Sequence, residues 1–154
     1  MFEVRWFSHI DSPEMNGAIG EYVSGKVWGK SKPFFLSTGM GVFDKGNLIA
    51  GMMFHNYDRD AGVIEVSGAS ETARWLTRPV LWEMFSYPFN QLGCQAVVMR
   101  VDSSNTRLCR MLSSYGHARY EIPRLRGRDN PEIIYVLHDD VWRANGFHDH
   151  GGNV

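Results

Sequence analysis

The sequence predicts one α/β (α+β) domain, in which helices flank a mixed, mostly antiparallel sheet of six to seven strands. Short apolar runs alternate with turn signals in the first half of the chain, as in antiparallel strands. Residues 62–116 then read strand, helix, strand and helix, and such a crossover implies one parallel strand pair. We assign residues 1–145 to the domain. Residues 146–154 lack a core pattern, and we expect them to form a flexible tail.

The first half of the chain predicts a strand, a helix and an antiparallel meander. The helix begins at Ser12-Pro13, where a capping hydroxyl precedes a proline in the first turn. Gly17, Gly20 and Gly25 each weaken this helix by about 1 kcal/mol relative to alanine, so we expect it to be bent or broken. The predicted strands cover residues 2–7, 38–43, 48–55 and 63–67, and the third is apolar enough to be central.

The second half predicts two helices that alternate with strands. The first runs from about Thr77 to Leu92, and Pro88 should kink its last turn because proline removes a backbone donor. The second begins at an Asn105 cap and ends at Gly116, which suits the left-handed position after a helix. Further strands are predicted at residues 96–101, 119–122 and 132–137.

Composition narrows the function classes. The chain has 154 residues, 44% of them hydrophobic, so it can bury a sizeable core. A net charge of −1 argues against a general nucleic-acid binder. The sequence has neither an apolar run long enough for a membrane span nor a signal-peptide pattern. Two cysteines, Cys94 and Cys109, do not make a disulfide framework, and we therefore expect a cytoplasmic protein.

We expect no metal site. The segment Asp58-Arg59-Asp60 is typical of a turn, where such side chains bond their own backbone. The tail segment His148-Asp149-His150 lacks the partners that a structural metal needs.

An anion site is predicted between the fourth strand and the helix that follows it. A helix start offers unpaired backbone N–H groups and the positive end of a dipole, and phosphate is the usual anion there. Arg74 and Arg78 flank this helix start and strengthen the prediction.

Three segments of the second half carry a recognisable pattern. The first is the helix that begins at Asn105 and ends Tyr-Gly116-His117. The others are Tyr87-Pro-Phe-Asn-Gln-Leu-Gly93, which closes the preceding helix, and the last strand with the Asp139-Asp-Val-Trp142 that follows it. Together they resemble the GNAT superfamily of acyl-CoA-dependent N-acetyltransferases, and most of all its branch that acetylates protein N-termini. The resemblance covers residues 48–142.

The chain departs from the GNAT pattern at four positions. Ala73 and Trp75 stand where the pyrophosphate loop has glycines, so the loop is degenerate. Leu112 replaces the tyrosine that protonates the departing thiolate in many members, and His117 replaces a phenylalanine. Two other interpretations therefore stay open. One is a catalytically inactive binding or structural protein of phage or bacterial origin, and the other is a regulatory domain that only binds acyl-CoA.

The resemblance implies an acetyl-CoA-dependent N-acetyltransferase that modifies a primary amine of a small molecule or protein. Acetyl-CoA would be the co-substrate, and the sheet would splay between the fourth and fifth strands. Pantetheine would pair with the backbone of Val66 and Ser67, and Asn105 would face its arm or hold a water. The expected ligands of the pyrophosphate are the amides of Arg74, Trp75, Leu76, Thr77 and Arg78.

The catalytic candidates each have a simpler alternative. Glu65 lies on the cofactor strand and is the candidate base, although it could be a solvent-facing strand residue. His55, on the neighbouring strand, has a suitable pKa but is more typical of a hydrogen-bonded core histidine. Ser113 is a candidate proton donor to the thiolate, or an exposed helix serine.

The sequence leaves the acceptor and the oligomeric state open, including a homodimer. Four arginines lie in the last predicted hairpin. They could bind an acidic substrate, RNA or the ribose phosphate of coenzyme A, or they could simply lie on a solvated hairpin. They are Arg119, Arg124, Arg126 and Arg128. Four aromatic residues could line an acceptor pocket or fill the core, namely Trp6, Trp28, Phe34 and Phe35.

Overall fold

A seven-stranded sheet with four α-helices forms the part of the chain described by the computed structural model, residues 2–145 and 148. The predicted flexible tail, residues 146–154, lies outside these residues apart from His148. In chain order the elements are β1 (Phe2–Ser8), α1 (Pro13–Trp28), β2 (Thr38–Asp44), β3 (Asn47–Asp58), β4 (Val63–Ser70), α2 (Arg78–Ser86), β5 (Ala96–Asp102), α3 (Thr106–Tyr115), β6 (Ala118–Ile122), β7 (Glu132–His138) and α4 (Asp139–Asn145).

One strand pair determines the shape of the sheet. The strand order is β1-β2-β3-β4-β5-β7-β6, and every neighbouring pair is antiparallel except β4 and β5. The parallel pairing of β4 with β5 covers only Val63 to Glu65 on one strand and Ala96 to Val98 on the other. Both strands continue beyond that point, so they part. The predicted fold class and the predicted splay between the fourth and fifth strands are confirmed.

The helices divide between the two faces of the sheet. On one face, α1 packs Ile19 and Val23 against Met53 of β3. The approach is close at Gly51, because a Cβ there would lie 3.2 Å from Ile19 and 3.3 Å from Val23 and would push both away. On the other face, Phe85 of α2 stacks on Tyr115 of α3 at a ring distance of 5.2 Å. The space between the parted strands is thus bounded by α2 and α3.

Helix α1 runs unbroken over 16 residues despite its glycines, so the expectation of a break is wrong. Burying Ile19 and Val23 completely contributes about 1.5–3 kcal/mol each, which offsets the glycine penalty of about 1 kcal/mol per residue. The start is correctly placed, but the Ser12 side chain makes no capping hydrogen bond. Asn16 instead ties the first turn to the chain by donating to the carbonyls of Phe7 and Ser37.

The helix predicted from about Thr77 to Leu92 changes its hydrogen-bond pattern near its end, and Pro88 explains the change. Helix α2 begins after Thr77, whose hydroxyl accepts a hydrogen bond from the Val80 amide. It then changes to a π-helical turn at Tyr87–Gln91. Pro88 has no amide to give to Met84, so the α-helical pattern cannot continue through this position. Pro88 therefore alters the helix where expected, by widening its last turn.

Candidate functional site

The parted strands enclose a cavity of about 990 Å³. One wall is the end of β4, and the facing wall is the second half of β5. The loop between β4 and α2 and the inner side of α3 complete it. We call this space the donor cavity. Its charged lining residues are Lys26, Glu71, Arg100, Asp102, Arg107, Arg110 and Arg126.

The wall formed by β4 begins at Gly68. Gly68, Ala69 and Ser70 line the cavity, and they pair with β3 on their other side. Across the cavity from β5 their backbone edge is available to a ligand. The Met52 side chain packs directly over Gly68, because a Cβ there would lie 2.2 Å from Sδ of Met52 and would have to displace it. Val66 and Ser67, predicted to pair with pantetheine, immediately precede this wall, and their pairing stays a prediction.

The loop before α2 makes several hydrogen bonds within itself. The amide of Arg74 donates to Oγ1 of Thr72 at 3.3 Å, and that of Leu76 donates to the Ala73 carbonyl at 3.2 Å. The amide of Thr77 donates to the Trp75 carbonyl at 2.8 Å. These three donors were predicted to hold a pyrophosphate. They would have to exchange partners to do so, and their role stays a prediction.

Three of the predicted cofactor residues have side chains in contrasting surroundings. Arg74 and Arg78 are exposed. Trp75 is only 4% exposed and lines the donor cavity. Within the part of the chain that the structure describes, its indole Nε1–H has no hydrogen-bond partner. Trp75 thus fills space at the edge of the donor cavity, and its correspondence to a glycine of the GNAT pattern stays a prediction.

Helix α3 places Asn105 at the donor cavity and Ser113 away from it. Asn105 caps the helix, because its Oδ1 accepts a hydrogen bond from the Leu108 amide at 3.3 Å. Ser113 is exposed, whereas its neighbours Leu112 and Ser114 line the cavity. The proposed proton transfer by Ser113 therefore lacks geometric support.

Two cavity residues were missed by the sequence reasoning. Tyr115 is buried, and its hydroxyl accepts a hydrogen bond from Nε1 of Trp142 at 3.1 Å. Burial raises the pKa of Tyr115 to about 12, so it stays protonated at neutral pH. His117 is also buried, and its Nδ1–H donates to the Leu112 carbonyl at 3.0 Å. Burial lowers the pKa of His117 to about 4, which keeps the imidazole neutral.

The point where β4 and β5 part carries a polar group of residues. Glu65 of β4 is paired with His55 of β3, and their side chains approach to 3.9 Å. His55 Nε2 lies 2.9 Å from the hydroxyl of Ser67. Asn56 donates to Oε1 of Glu65 at 3.0 Å. Burial lowers the pKa of His55, and the nearby Glu65 carboxylate partly opposes that shift.

Glu65 is therefore more than a solvent-facing residue. Its side chain is 18% exposed and hydrogen-bonded, and its backbone belongs to the last parallel pair before the strands part. A carboxylate at this place, with a largely neutral histidine beside it, can accept a proton from an ammonium group. Its role as a base stays a prediction.

A second pocket of about 600 Å³ lies on the other side of this polar group, under residues 29–37. We call it the aromatic pocket. The edge of Phe34 meets the ring of His55 at 4.8 Å, and Trp28 lies 5.7 Å from Phe34. Trp28, Phe34 and Phe35 line the pocket, whereas Trp6 packs in the core against Phe54.

The arginines near the last turn have different surroundings. Arg126 lines the donor cavity and binds the buried Glu132 at 3.1 Å, together with Arg100 of β5. Arg119 forms an exposed pair with Glu121. Arg126 is thus the member of this group that a ligand in the donor cavity would meet.

The described residues contain neither a helix long and apolar enough to cross a membrane nor a group of three His, Cys, Asp or Glu side chains placed to hold a metal ion.

Comparison with known proteins identifies the fold. No protein-family model matches the chain, and no curated protein matches it. Among solved structures, a mutant of the spermidine N-acetyltransferase SpeG from Vibrio cholerae is similar with a TM-score of 0.70 and 11% identity, over 90% of this chain and 94% of that one. This chain has the GNAT acetyltransferase fold.

Two further structures agree. The ribosomal-protein-S5-alanine acetyltransferase from Vibrio fischeri matches with a TM-score of 0.68 and 13% identity, over 92% and 94% of the two chains. A proposed acetyltransferase from T. thermophilus matches with a TM-score of 0.60 and 14% identity, over 71% of this chain. The present chain spans 63% of the length of that protein. At these identities the similarity concerns the fold.

Proposed function

We propose that the protein is an acetyl-CoA-dependent N-acetyltransferase that acts on a primary amine. The observation that carries the proposal is the parting of β4 and β5 directly after Glu65, with a cavity of about 990 Å³ beyond it. Such a cavity has room for an extended thioester arm, and we expect the arm to end near the Glu65 carboxylate.

The donor would be bound by backbone and by charge. The edge of β4 at Gly68, Ala69 and Ser70 offers main-chain groups to the amides of a pantetheine arm. The five basic side chains that line the donor cavity outnumber its two acidic ones. This excess of positive charge attracts the phosphates of coenzyme A. Arg107 and Arg110 of α3 lie on the cavity wall where side-chain charge can replace the amides of the degenerate loop.

The transfer then requires little from the protein besides position and one base. Glu65 takes a proton from the ammonium group of the acceptor, directly or through a water. The neutral amine attacks the thioester carbonyl, a C–N bond forms, the C–S bond breaks, and the second amine proton passes through water to the departing thiolate, which leaves as the free thiol. Holding the two reactants together lowers the barrier by several kcal/mol. Asn56 and His55 hold the Glu65 carboxylate in place.

The direct test is release of free thiol from acetyl-CoA in the presence of a panel of primary amines. We expect amine-dependent release, with a new acetyl group on the amine detected by mass spectrometry. If the protein binds acetyl-CoA but no amine of the panel causes release of free thiol, the transferase is contradicted and a regulatory acyl-CoA-binding domain is supported.

A catalytically inactive GNAT-fold protein is the second candidate. The loop before α2 favours this candidate, because the amides of Leu76 and Thr77 already donate to carbonyls of the same loop. Calorimetric titration separates the two, since an inactive structural protein of this kind would give no heat with acetyl-CoA.

A further inference from the structure

The aromatic pocket has the chemistry of a site for an apolar group. Aromatic rings from several parts of the chain line it, together with Pro33, Leu36 and Leu92. The rings belong to Trp28, Phe34, Phe35, Phe54, Tyr57 and Tyr87. Phe35 and Leu36 are 78% and 77% exposed at its rim, so the apolar lining extends to the surface. An apolar body that entered would bury these side chains and gain about 25 cal/mol per Å² of covered surface.

The charge of the pocket disfavours ligands that carry several ammonium groups. Among the described residues that line it there is no aspartate or glutamate, and its one side chain with a full charge is Lys32. The ammonium group of Lys32 lies 4.7 Å from the centre of the Trp28 ring. In a ligand with several ammonium groups, those that are not acetylated would lie beside Lys32. No carboxylate among the described lining residues compensates their charge, so this placement is unfavourable.

The pocket also leads to the candidate base. His55 and Asn56 line it, and the side chains of both approach the Glu65 carboxylate. A ligand whose apolar body lies against Phe34 would therefore have its amine near the point where β4 and β5 part. The donor cavity opens beyond that same point.

We propose that the aromatic pocket binds the acceptor, and that the acceptor is a primary amine carrying one aromatic or branched apolar group and no further cationic group. This rests on the proposed acetyltransferase function and gives its substrate class. Polyamines are excluded as good substrates, although proteins of the same fold include a spermidine N-acetyltransferase.

The test compares 2-phenylethylamine with spermidine in the thiol-release assay. We expect kcat/KM to be at least about tenfold higher for 2-phenylethylamine, a size of discrimination that an apolar pocket can supply. Equal or faster acetylation of spermidine would overturn the substrate class and leave the acetyltransferase function intact.

Two variants on the same loop locate the effect. Lys32→Glu puts a carboxylate into the pocket and should raise kcat/KM for spermidine about tenfold relative to 2-phenylethylamine. Lys30→Glu is the matched control, because Lys30 is exposed and outside the pocket lining. The same change with both variants would mean that overall charge, and not the pocket, determines the preference.

A binding measurement keeps the inference testable even without turnover. Ligand-observed NMR with 2-phenylethylamine should show saturable binding to the full chain. Phe34→Ala should weaken it about tenfold, because the ring between Trp28 and His55 is lost. Phe35→Ser removes an exposed ring and should change binding less. No saturable binding, or binding that Phe34→Ala leaves unchanged, would contradict the assignment of the pocket.

Discussion

The donor cavity and the aromatic pocket differ in size, charge and origin, although both are lined in part by β3 and β4. The donor cavity is larger, lies between parted strands, and has five basic lining residues against two acidic ones. The aromatic pocket lies under one loop, and Lys32 is its one fully charged lining residue among those the structure describes. The difference matches two unlike reactants, a polyanionic donor and an apolar amine, and Glu65 lies between their sites.

The largest expected effect is that of Glu65→Gln, which removes the group between the two sites. We expect turnover to fall roughly 100-fold or more, because general-base catalysis typically contributes that much. The affinity for acetyl-CoA should stay within about twofold, since the amide keeps the size of the carboxylate. Steady-state kinetics and calorimetry on the same preparation check both parts. Glu121→Gln is the control, because Glu121 forms an exposed pair with Arg119. Unchanged turnover would remove Glu65 from its role.

The second effect compares two histidines, one beside each site. The pKa of His117 is lowered to about 4 by burial at the donor cavity, and an unfolded histidine titrates near a pKa of about 6.5. The unfolded state therefore binds the proton more readily, so stability is fully present above about pH 6.5 and is lost as the pH falls towards 4. The loss amounts to about 3 kcal/mol.

Denaturant unfolding at pH 7 and pH 4 measures this loss. His117→Phe should reduce the difference between the two pH values, because it removes the buried titratable ring. It should also be tolerated at pH 7, since Nε2 of His117 has no partner in the described structure, and the Leu112 carbonyl that loses Nδ1–H keeps the His117 backbone amide at 3.1 Å. The pKa of His55 is also lowered, but the Glu65 carboxylate opposes the shift. His55→Phe should therefore reduce the loss of stability between pH 7 and pH 4 by less than His117→Phe does. A larger effect of His55→Phe than of His117→Phe on this loss would show that His117 is solvated in solution, and it would contradict the prediction.

The third effect separates donor binding from acceptor binding. Gly68→Val places a side chain on the β4 wall, where even a Cβ would lie 2.2 Å from Met52. Met52 also lines the donor cavity, so its displacement should narrow that cavity and weaken acetyl-CoA binding about tenfold or more. Binding of 2-phenylethylamine, followed by NMR, should remain within about twofold. Parallel loss of both ligands in a folded variant would mean that the two sites are not separate.

The smallest effect concerns Gly25 of α1, which lines neither site. Gly25 is exposed in this helix, and a Cβ there meets nothing within 4 Å. Gly25→Ala should raise the free energy of unfolding by up to about 1 kcal/mol and leave both ligand affinities unchanged. A destabilised variant would contradict the unbroken helix.

The sequence predicted the local elements well because their signals are local. The Asn105 cap and the left-handed Gly116 both stand where the residue types require them. The parting of the strands followed from the resemblance and is confirmed. Strand β4, however, extends to Ser70 rather than Ser67, because its partner on β3 continues, and this moves the cavity wall to Gly68.

The missed parts of the site depend on contacts between distant residues. Tyr115 belongs to the same apolar stripe as the core residues of α3, so its sequence pattern does not distinguish cavity lining from core packing. The hydrogen bonds within the loop before α2 depend on its path, which no motif specifies. The aromatic pocket requires Phe34 to fold back onto His55, a contact between residues far apart along the chain.

Calorimetric titration of the protein with acetyl-CoA tests the central claim most directly. The account predicts binding of one acetyl-CoA per chain with a dissociation constant of about 1 mM or tighter, as Michaelis constants of enzymes typically require. Absence of binding in that range by the folded protein would contradict it, because a cavity that rejects the donor cannot support the transfer.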